Sequence, residues 1–161
     1  MSEQAVAGEE LADLVARTGR ANAAFMRGDI DGYLALIKHA DDYTLLPPFG
    51  GMPTRGFDGS SERLEAMARF FQAGQTELEL VQTYASGDLA VLVLIERQRA
   101  EVGGLAEQDW SLRVTLVYRR EGAGWSLVHR HADPLVHGIS LEQAAAIARG
   151  QASPATPSAE P

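Results

Sequence analysis

The chain contains no cysteine, which excludes disulfides, thiolate nucleophiles and cysteine-ligated metals. Basic residues are scarce as well, because 14 Lys and Arg stand against 22 Asp and Glu and leave a net charge of -8. Such an acidic chain lacks the basic excess that binds nucleic acid or an anionic membrane surface. It also lacks an apolar run of membrane-spanning length and the basic and apolar regions of a secretory signal. We therefore expect a cytoplasmic protein that binds neither nucleic acid nor membrane.

The chain does contain enough apolar sequence for one packed domain. Its 161 residues are 45% hydrophobic, which is typical of a single globular domain. The periodic pattern predicts one domain over residues 9–149, including a short last helix at 140–148. Residues 150–161 have no apolar periodicity and predict a disordered tail, and residues 1–8 are expected to form a flexible N-terminus.

The order of the predicted elements indicates the fold class. Apolar residues recur at helical spacing in three N-terminal segments, with a short strand at 43–46 before the third. These predicted helices cover residues 9–26, 30–37 and 60–73. Alternating apolar and polar residues then predict a meander of four long strands. These strands cover 77–86, 89–101, 110–119 and a run that begins at Trp125 and stops before Pro134. Helices followed by antiparallel strands make an α+β domain.

Two segments of the chain carry a family resemblance. They read GDIDGYLALIKHADDYTLLPP at 28–48 and GWSLVHRHADP at the end of the meander. With the element order over residues 9–134, they resemble the nuclear transport factor 2 (NTF2) superfamily, and more narrowly its SnoaL-like and ketosteroid isomerase-like branch. The resemblance implies a cone-shaped, strongly bent, mostly antiparallel sheet wrapped around three N-terminal helices, an NTF2-like or cystatin-like roll. It also implies a conical ligand pocket and a homodimer across the convex face of the sheet.

Two arguments disagree on which face of strand 110–119 lines that pocket. Hydrophobicity alone predicts that the apolar set faces inward, namely Trp110, Leu112, Val114, Leu116 and Tyr118. The resemblance implies the opposite phase, and it is the one adopted for the site. It places an arginine-bearing set inside the cone, namely Arg97, Arg99, Arg113, Thr115, Val117, Arg130 and Ala132. The apolar residues would then lie on the convex face beneath a partner subunit, namely Trp110, Leu112, Leu116, Trp125 and Leu127.

In that phase, the pocket gains three arginines. Arg97, Arg113 and Arg130 would concentrate positive charge there, and guanidinium groups grip carboxylates through paired hydrogen bonds. We therefore predict an anionic small-molecule ligand, with Thr115 and Tyr33 as further ligand-binding residues. Two alternatives stay open. The arginines can instead pair with Glu96, Glu101, Asp133 or helix carboxylates, or line an exposed sheet edge. Tyr33 can belong to the core, because it lies on the apolar stripe of its helix.

Catalytic candidates are sparse. His131 and Asp133 belong to an H-x-H-x-D run, and a histidine titrates near neutral pH. Tyr43 is a third candidate, because dehydratase-like members of the superfamily gather tyrosines and histidines around the pocket. Alternate histidines can also bind a metal, but the chain has no second ligand cluster, so neither a metal site nor a cofactor is predicted.

Residues of the superfamily's known enzymes are not matched. The positions of the ketosteroid isomerase groups fall on Pro47, Ala21 and Thr115, which lack the acid and the phenol that the reaction needs. The Arg-x-Asp pattern of limonene epoxide hydrolase-like members keeps Arg113 and loses the acid at Thr115. Whether the protein is an enzyme therefore stays open. The alternatives are a ligand-binding domain, a lyase, isomerase or cyclase that uses cofactor-free acid–base catalysis, and a dimerisation or assembly module without catalysis.

Overall fold

A computed structural model describes residues 8–151, which form four helices and seven strands. The helices are α1 (Gly8–Met26), α2 (Ile30–Leu36), α3 (Ser61–Phe70) and α4 (Leu141–Ala148). The strands are β1 (Lys38–Leu46), β2 (Thr54–Arg55), β3 (Phe71–Ser86), β4 (Leu89–Val102), β5 (Leu105–Asp109), β6 (Leu112–Glu121) and β7 (Gly124–Asp133). None of these helices is long and apolar enough to cross a membrane. The predicted flexible N-terminus and disordered tail lie almost entirely outside the described residues.

The strands form one strongly curved sheet in the order β2-β1-β7-β6-β4-β3, and β5 pairs with β4. β1 and β7 run parallel, whereas the other pairs are antiparallel. Helices α1 and α2 pack on the inner face of the sheet and close the main hydrophobic core. The α+β class and the mostly antiparallel, bent sheet that the sequence predicted are therefore confirmed.

The inner face of the sheet is the apolar one. Its buried side chains alternate along three strands and pack against α1. They are Ala90, Leu92, Leu94, Leu112, Val114, Leu116, Tyr118, Leu127 and Ala132. Hydrophobicity alone gave the right phase for β4 and β6, and the phase implied by the resemblance is wrong there. Leaving Leu112 and Leu116 on the outer face would forfeit about 1.5–3 kcal/mol of burial for each side chain.

The last strand changes phase part-way along its length. Leu127 pairs with Tyr118 but His129 pairs with Val117, so one extra residue bulges out between them. Leu127 before the bulge and Arg130 after it consequently both face inward. The bulge explains why the resemblance placed Arg130 correctly although it placed Arg113 on the wrong face.

The junction between α3 and β3 differs from the prediction. The helix ends at Phe70 rather than at residue 73, and the strand begins at once with Phe71. Gly74 does not end the helix but lies inside the strand, where a Cβ would overlap the backbone and side chain of Met26. The glycine is there to let α1 approach the sheet closely. This junction brings Phe70 and Phe71 together at the wall of a cavity.

Candidate functional site

A cavity of about 360 Å³ lies between the helices and the inner face of the sheet. Its walls come from α1, α3, the loop after β1 and the inner side chains of β4 and β6. They are mostly apolar: Phe25, Met26, Leu45, Pro47, Pro48, Phe49, Ala66, Met67, Phe70, Phe71, Val102, Trp110 and Leu112. A mostly apolar hollow with a few polar groups is the usual form of a small-molecule site.

Aromatic rings line this cavity from its mouth inward. Phe49, which is exposed, meets Trp110 edge-on with ring centroids 5.9 Å apart. Phe70 packs on Phe71 at 5.0 Å, and Phe71 on Phe25 at 4.7 Å. Such rings present large apolar faces at fixed positions, so the walls favour a flat, apolar body.

The floor of the cavity carries a buried ion pair. Arg130 of β7 donates from Nη1 and Nη2 to the two carboxylate oxygens of Glu96 on β4, at 2.7 and 2.8 Å. Glu96 is only 1% exposed. The pair fixes the planes of both groups, and each also lines a smaller hollow of about 70 Å³ beyond the floor. The floor is therefore polar and rigid, and its two formal charges cancel.

An amide network lies beside the ion pair. Asn22 of α1 donates from Nδ2 to Thr76 Oγ1 at 2.9 Å and to Gln98 Oε1 at 3.2 Å. Gln98 donates in turn to the backbone oxygen of Trp110 at 3.1 Å. Both amide side chains line the cavity. They add neutral hydrogen-bonding groups next to the guanidinium.

Three tyrosines surround the ion pair on its inner side. Tyr33 and Tyr118 line the smaller hollow, and Tyr118 shares a 2.8 Å hydrogen bond with Thr18. Burial raises the pKa of Tyr33 and of Tyr118 above the ordinary range, and it raises the pKa of Tyr43 to about 12. All three phenols consequently stay protonated at neutral pH, as hydrogen-bonding groups without charge.

His39 of β1 ties the segment between β2 and α3 to this region. Its ring stacks on Phe57 at a centroid distance of 3.8 Å, and its Nε2 lies 3.0 Å from the hydroxyl of Tyr33. Burial lowers the pKa of His39 to about 4. The ring is therefore neutral at physiological pH, and it connects Tyr33 of α2 to Phe57 in the segment before α3.

Most of the predicted site residues lie outside the cavity. Among the predicted site residues, Arg130 lines both the cavity and the smaller hollow, and Tyr33 lines the smaller hollow. Tyr43 is buried behind them. The others project from the outer face of the sheet, namely Arg97, Arg113, Thr115, His131 and Asp133. The cup lined by three arginines is thus wrong, because the phase of β4 and β6 turns two of the three outward.

The ion-pair alternative describes the three arginines better, because Arg130 pairs with Glu96 and Arg113 approaches Asp133, although the partner of Arg97 was not among those predicted. Arg97 pairs with Glu79 at 2.7 Å, and Arg113 lies 3.9 Å from Asp133. The Nε2 of His131 lies 3.5 Å from the same carboxylate. An outer groove of about 300 Å³ is lined by Arg113, His131 and Asp133 together with Val81, Val93 and Ile95. Among residues 8–151, no group of three or more His, Asp or Glu side chains is arranged to hold a metal ion.

Sequence reasoning missed Glu96, Asn22 and Gln98 as cavity residues, and it missed His39, which contacts Tyr33 behind the cavity. One signal was present. Glu96 and Gln98 continue the alternation of Leu92 and Leu94, so they occupy the buried phase of β4 with polar side chains. Charged residues are almost never fully buried unless they are paired, so a glutamate in that phase indicates a partner and a site.

A sequence profile of the SnoaL-like domain matches residues 16–136. The chain belongs to the SnoaL-like family. This SnoaL-like domain is similar to a putative dehydratase from the NTF2-like family of Streptomyces avermitilis, with 23% identity over 79% of this chain and 99% of the other and a TM-score of 0.59. No curated protein matches the chain.

Two further solved structures resemble the SnoaL-like domain. An NTF2-like protein of unknown function from Pseudomonas putida is 26% identical over 84% of this chain and 89% of the other, with a TM-score of 0.56. A putative calcium/calmodulin-dependent protein kinase type II association domain from Thiobacillus denitrificans is 23% identical over 80% and 94%, with a TM-score of 0.57. Proteins with this fold therefore include both a putative enzyme and a putative association domain.

Proposed function

We propose that this SnoaL-like domain binds a small organic molecule in the 360 Å³ cavity. The ligand has a flat, largely apolar body and one carbonyl or hydroxyl oxygen that meets the floor. The observation that carries the proposal is the buried ion pair of Arg130 with Glu96 at the end of a mostly apolar hollow.

The floor favours a neutral oxygen over a carboxylate. Arg130 is already matched by Glu96, so an additional anion there would meet no net positive charge. A guanidinium has five N–H groups, and two of those on Arg130 are bonded to Glu96. The other N–H groups of Arg130, with the second amide N–H of Gln98, can donate to a carbonyl or hydroxyl oxygen, whereas both amide N–H groups of Asn22 are already bonded to Thr76 and Gln98. This chemistry replaces the anionic, arginine-lined pocket that the sequence predicted.

A fluorescent probe of matching shape tests the proposal. Neutral anilinonaphthalene has a flat aromatic body, and its emission rises when it leaves water. We expect it to bind the native protein and to quench Trp110, and we expect Ala66→Trp or Met67→Trp, which fill the cavity, to abolish binding. Arg113→Ala on the outer face is the matched control and retains full binding. Equal binding by the filled-cavity variants with native circular dichroism would place the probe elsewhere and end the proposal.

A second candidate function is cofactor-free acid–base catalysis, and the buried carboxylate of Glu96 favours it. A ketone whose oxygen accepts from Arg130 could lose an α-proton to Glu96. The electron pair of the broken C–H bond then moves to the ketone oxygen as an enolate, and returning the proton regenerates both groups. The groups predicted as catalytic do not support this chemistry inside the cavity, because His131 and Asp133 lie on the other face.

Exchange of ketone α-protons in heavy water tests catalysis without knowledge of the natural substrate. β-Tetralone is a flat aromatic ketone of suitable size, and proton NMR follows its exchange directly. The native protein should accelerate the exchange above the buffer rate, and Glu96→Gln should remove the acceleration. His131→Gln serves as the control and keeps it. No acceleration of β-tetralone exchange by native protein that binds the ketone would favour binding alone.

We also propose a homodimer through the outer face of the sheet. The outer groove has apolar walls from Val81, Val93 and Ile95, with Arg113 and Asp133 at its polar side. An apolar strip with a charged rim is typical of an interface, and an assembly module without catalysis would use the same surface. Light scattering should give twice the chain mass for the native protein. Val81→Arg should give the single mass with native circular dichroism, whereas a native protein of single mass would contradict the dimer.

A further inference from the structure

Arg63 lies at the mouth of the cavity and has no ion pair within residues 8–151. It belongs to the first turns of α3, it is exposed, and it lines the same hollow as Met67 and Phe70. The carboxylate of Asp58 accepts a 3.0 Å hydrogen bond from the Ser60 amide, which lowers its pKa, and the positive charge of Arg63 lowers that pKa further without forming an ion pair within 4 Å.

Most arginines on the sheet are in a different state, Arg55 of β2 being the exception. Ion pairs within 4 Å occupy Arg97, Arg99, Arg113, Arg119, Arg120 and Arg130. The cavity therefore has two guanidinium groups of unlike status. The one at the floor is neutralised by Glu96, and the one at the mouth keeps its charge available.

From this contrast, we propose that Arg63 is a specificity-determining residue that selects ligands with an anionic group at the outer end. The ligand class is an amphipathic carboxylate or sulfonate, whose apolar body fills the aromatic hollow while its anionic group stays at the solvent boundary beside Arg63. The anion remains partly hydrated at the mouth, so it avoids the desolvation that the closed floor would impose. This inference rests on the proposed binding function and adds a charge requirement to it.

Two probes with the same apolar body test the charge requirement. Anilinonaphthalene sulfonate carries an anionic group that neutral anilinonaphthalene lacks, and both report binding by fluorescence. We expect Arg63→Gln to weaken sulfonate binding by about fivefold to tenfold, in keeping with a charge-assisted contact, and to leave the neutral probe within about twofold. Arg69→Gln is the matched control, because Arg69 is on the same helix, pairs with Glu65 and does not line the cavity.

The outcomes separate the two proposals. If Arg63→Gln and Arg69→Gln weaken the sulfonate equally, or neither does, Arg63 does not select anions and this inference is overturned. The binding function survives that result provided that Ala66→Trp still excludes the neutral probe. If the neutral probe binds equally well to the filled-cavity variant, the cavity itself is not the site. If high salt weakens binding of the sulfonate probe to the native protein but not to Arg63→Gln, the inference gains further support.

Discussion

Arg130 and Glu96 pair on the inner face of the sheet, and Arg113 and Asp133 pair on its outer face. The inner pair is bidentate at 2.7 and 2.8 Å with a carboxylate that is 1% exposed. The outer pair has a single approach of 3.9 Å between two half-exposed side chains. The same two chemical groups are thus locked in one place and loosely associated in water in the other.

The difference teaches where charge has a structural cost. Outside, each charged group keeps most of its hydration, so the pair adds little to stability. Inside, both groups lose water, and their mutual bonds must offset that loss. Apolar residues of similar volume would fill the inner position at least as well. A paired charge at the floor of an apolar cavity therefore points to ligand recognition rather than to stability.

Breaking each pair should separate the two faces most clearly. Arg130→Ala leaves Glu96 buried without a partner, and we expect a loss of about 3–5 kcal/mol in the free energy of unfolding. Arg113→Ala should change it by no more than about 0.5 kcal/mol. Urea denaturation followed by circular dichroism measures both. The double variant Arg130→Met with Glu96→Leu should recover most of the loss, and equal losses for the two single arginine variants would contradict the contrast.

Neighbouring residues on β4 extend the comparison to apolar side chains. Leu94 is 1% exposed on the inner face, whereas Ile95 is half-buried on the outer face. Leu94→Ala should cost about 2–5 kcal/mol through lost burial and the cavity left behind. Ile95→Ala should cost less than half as much in dilute protein, because water already reaches its site. A reversed order would mean that the two faces had been assigned the wrong way round.

The alternation that separates Leu94 from Ile95 is also what the sequence predicts best. Strands β4 and β6 alternate so regularly that their buried phase follows from hydrophobicity alone. The periodic pattern also gave the class and the order of the helices, and the family resemblance added the bent sheet. The resemblance gave the wrong phase for β4 and β6, because a shift of one residue in the alignment turns every side chain of a strand to the other face. So distant a resemblance does not align strands to within one residue.

The site was harder to predict than the fold. Arg130 reaches the floor only because the bulge after Leu127 shifts the phase of β7, and nothing in the run Trp125-Ser126-Leu127-Val128-His129 marks a bulge. Glu96 lies 34 positions earlier in the chain, so its pairing with Arg130 depends on the fold. Arg63 lies on a helix whose orientation over the cavity mouth no local pattern determines. Sequence thus predicts residue chemistry well and convergence poorly.

His39 gives the comparison a pH dependence. In the folded protein the pKa of His39 lies near 4, below the ordinary 6.5. Between pH 6.5 and pH 4, the unfolded chain therefore binds a proton at His39 that the folded chain does not bind. This proton uptake on unfolding has no effect above pH 6.5, and it lowers the free energy of unfolding progressively as the pH falls toward 4. After allowance for partial exposure of the ring, we expect a loss of about 2 kcal/mol.

Urea denaturation repeated across that pH window measures the slope. His39→Gln should flatten it, because glutamine has no proton to gain. Thr115→Ala, which changes a side chain without a titratable group on the outer face, should leave the slope as in the native protein. A native slope retained in His39→Gln would assign the pH dependence to other groups. The carboxyls whose pKa lies below the ordinary range, such as that of Asp42, are expected to act at lower pH.

A small effect is also expected where the outer face carries a short ion pair. Arg97 and Glu79 lie 2.7 Å apart, yet their side chains are 45% and 50% exposed. Water and salt therefore screen the attraction, and a double-mutant cycle of Arg97→Gln and Glu79→Gln should give a coupling below about 1 kcal/mol that fades at high salt. A coupling as large as the loss in Arg130→Ala would mean that this pair is also shielded from water. On the outer face, such shielding requires a covering subunit. Measuring the coupling energy at protein concentrations above and below the one at which the proposed dimer dissociates would show whether the interface extends to Arg97.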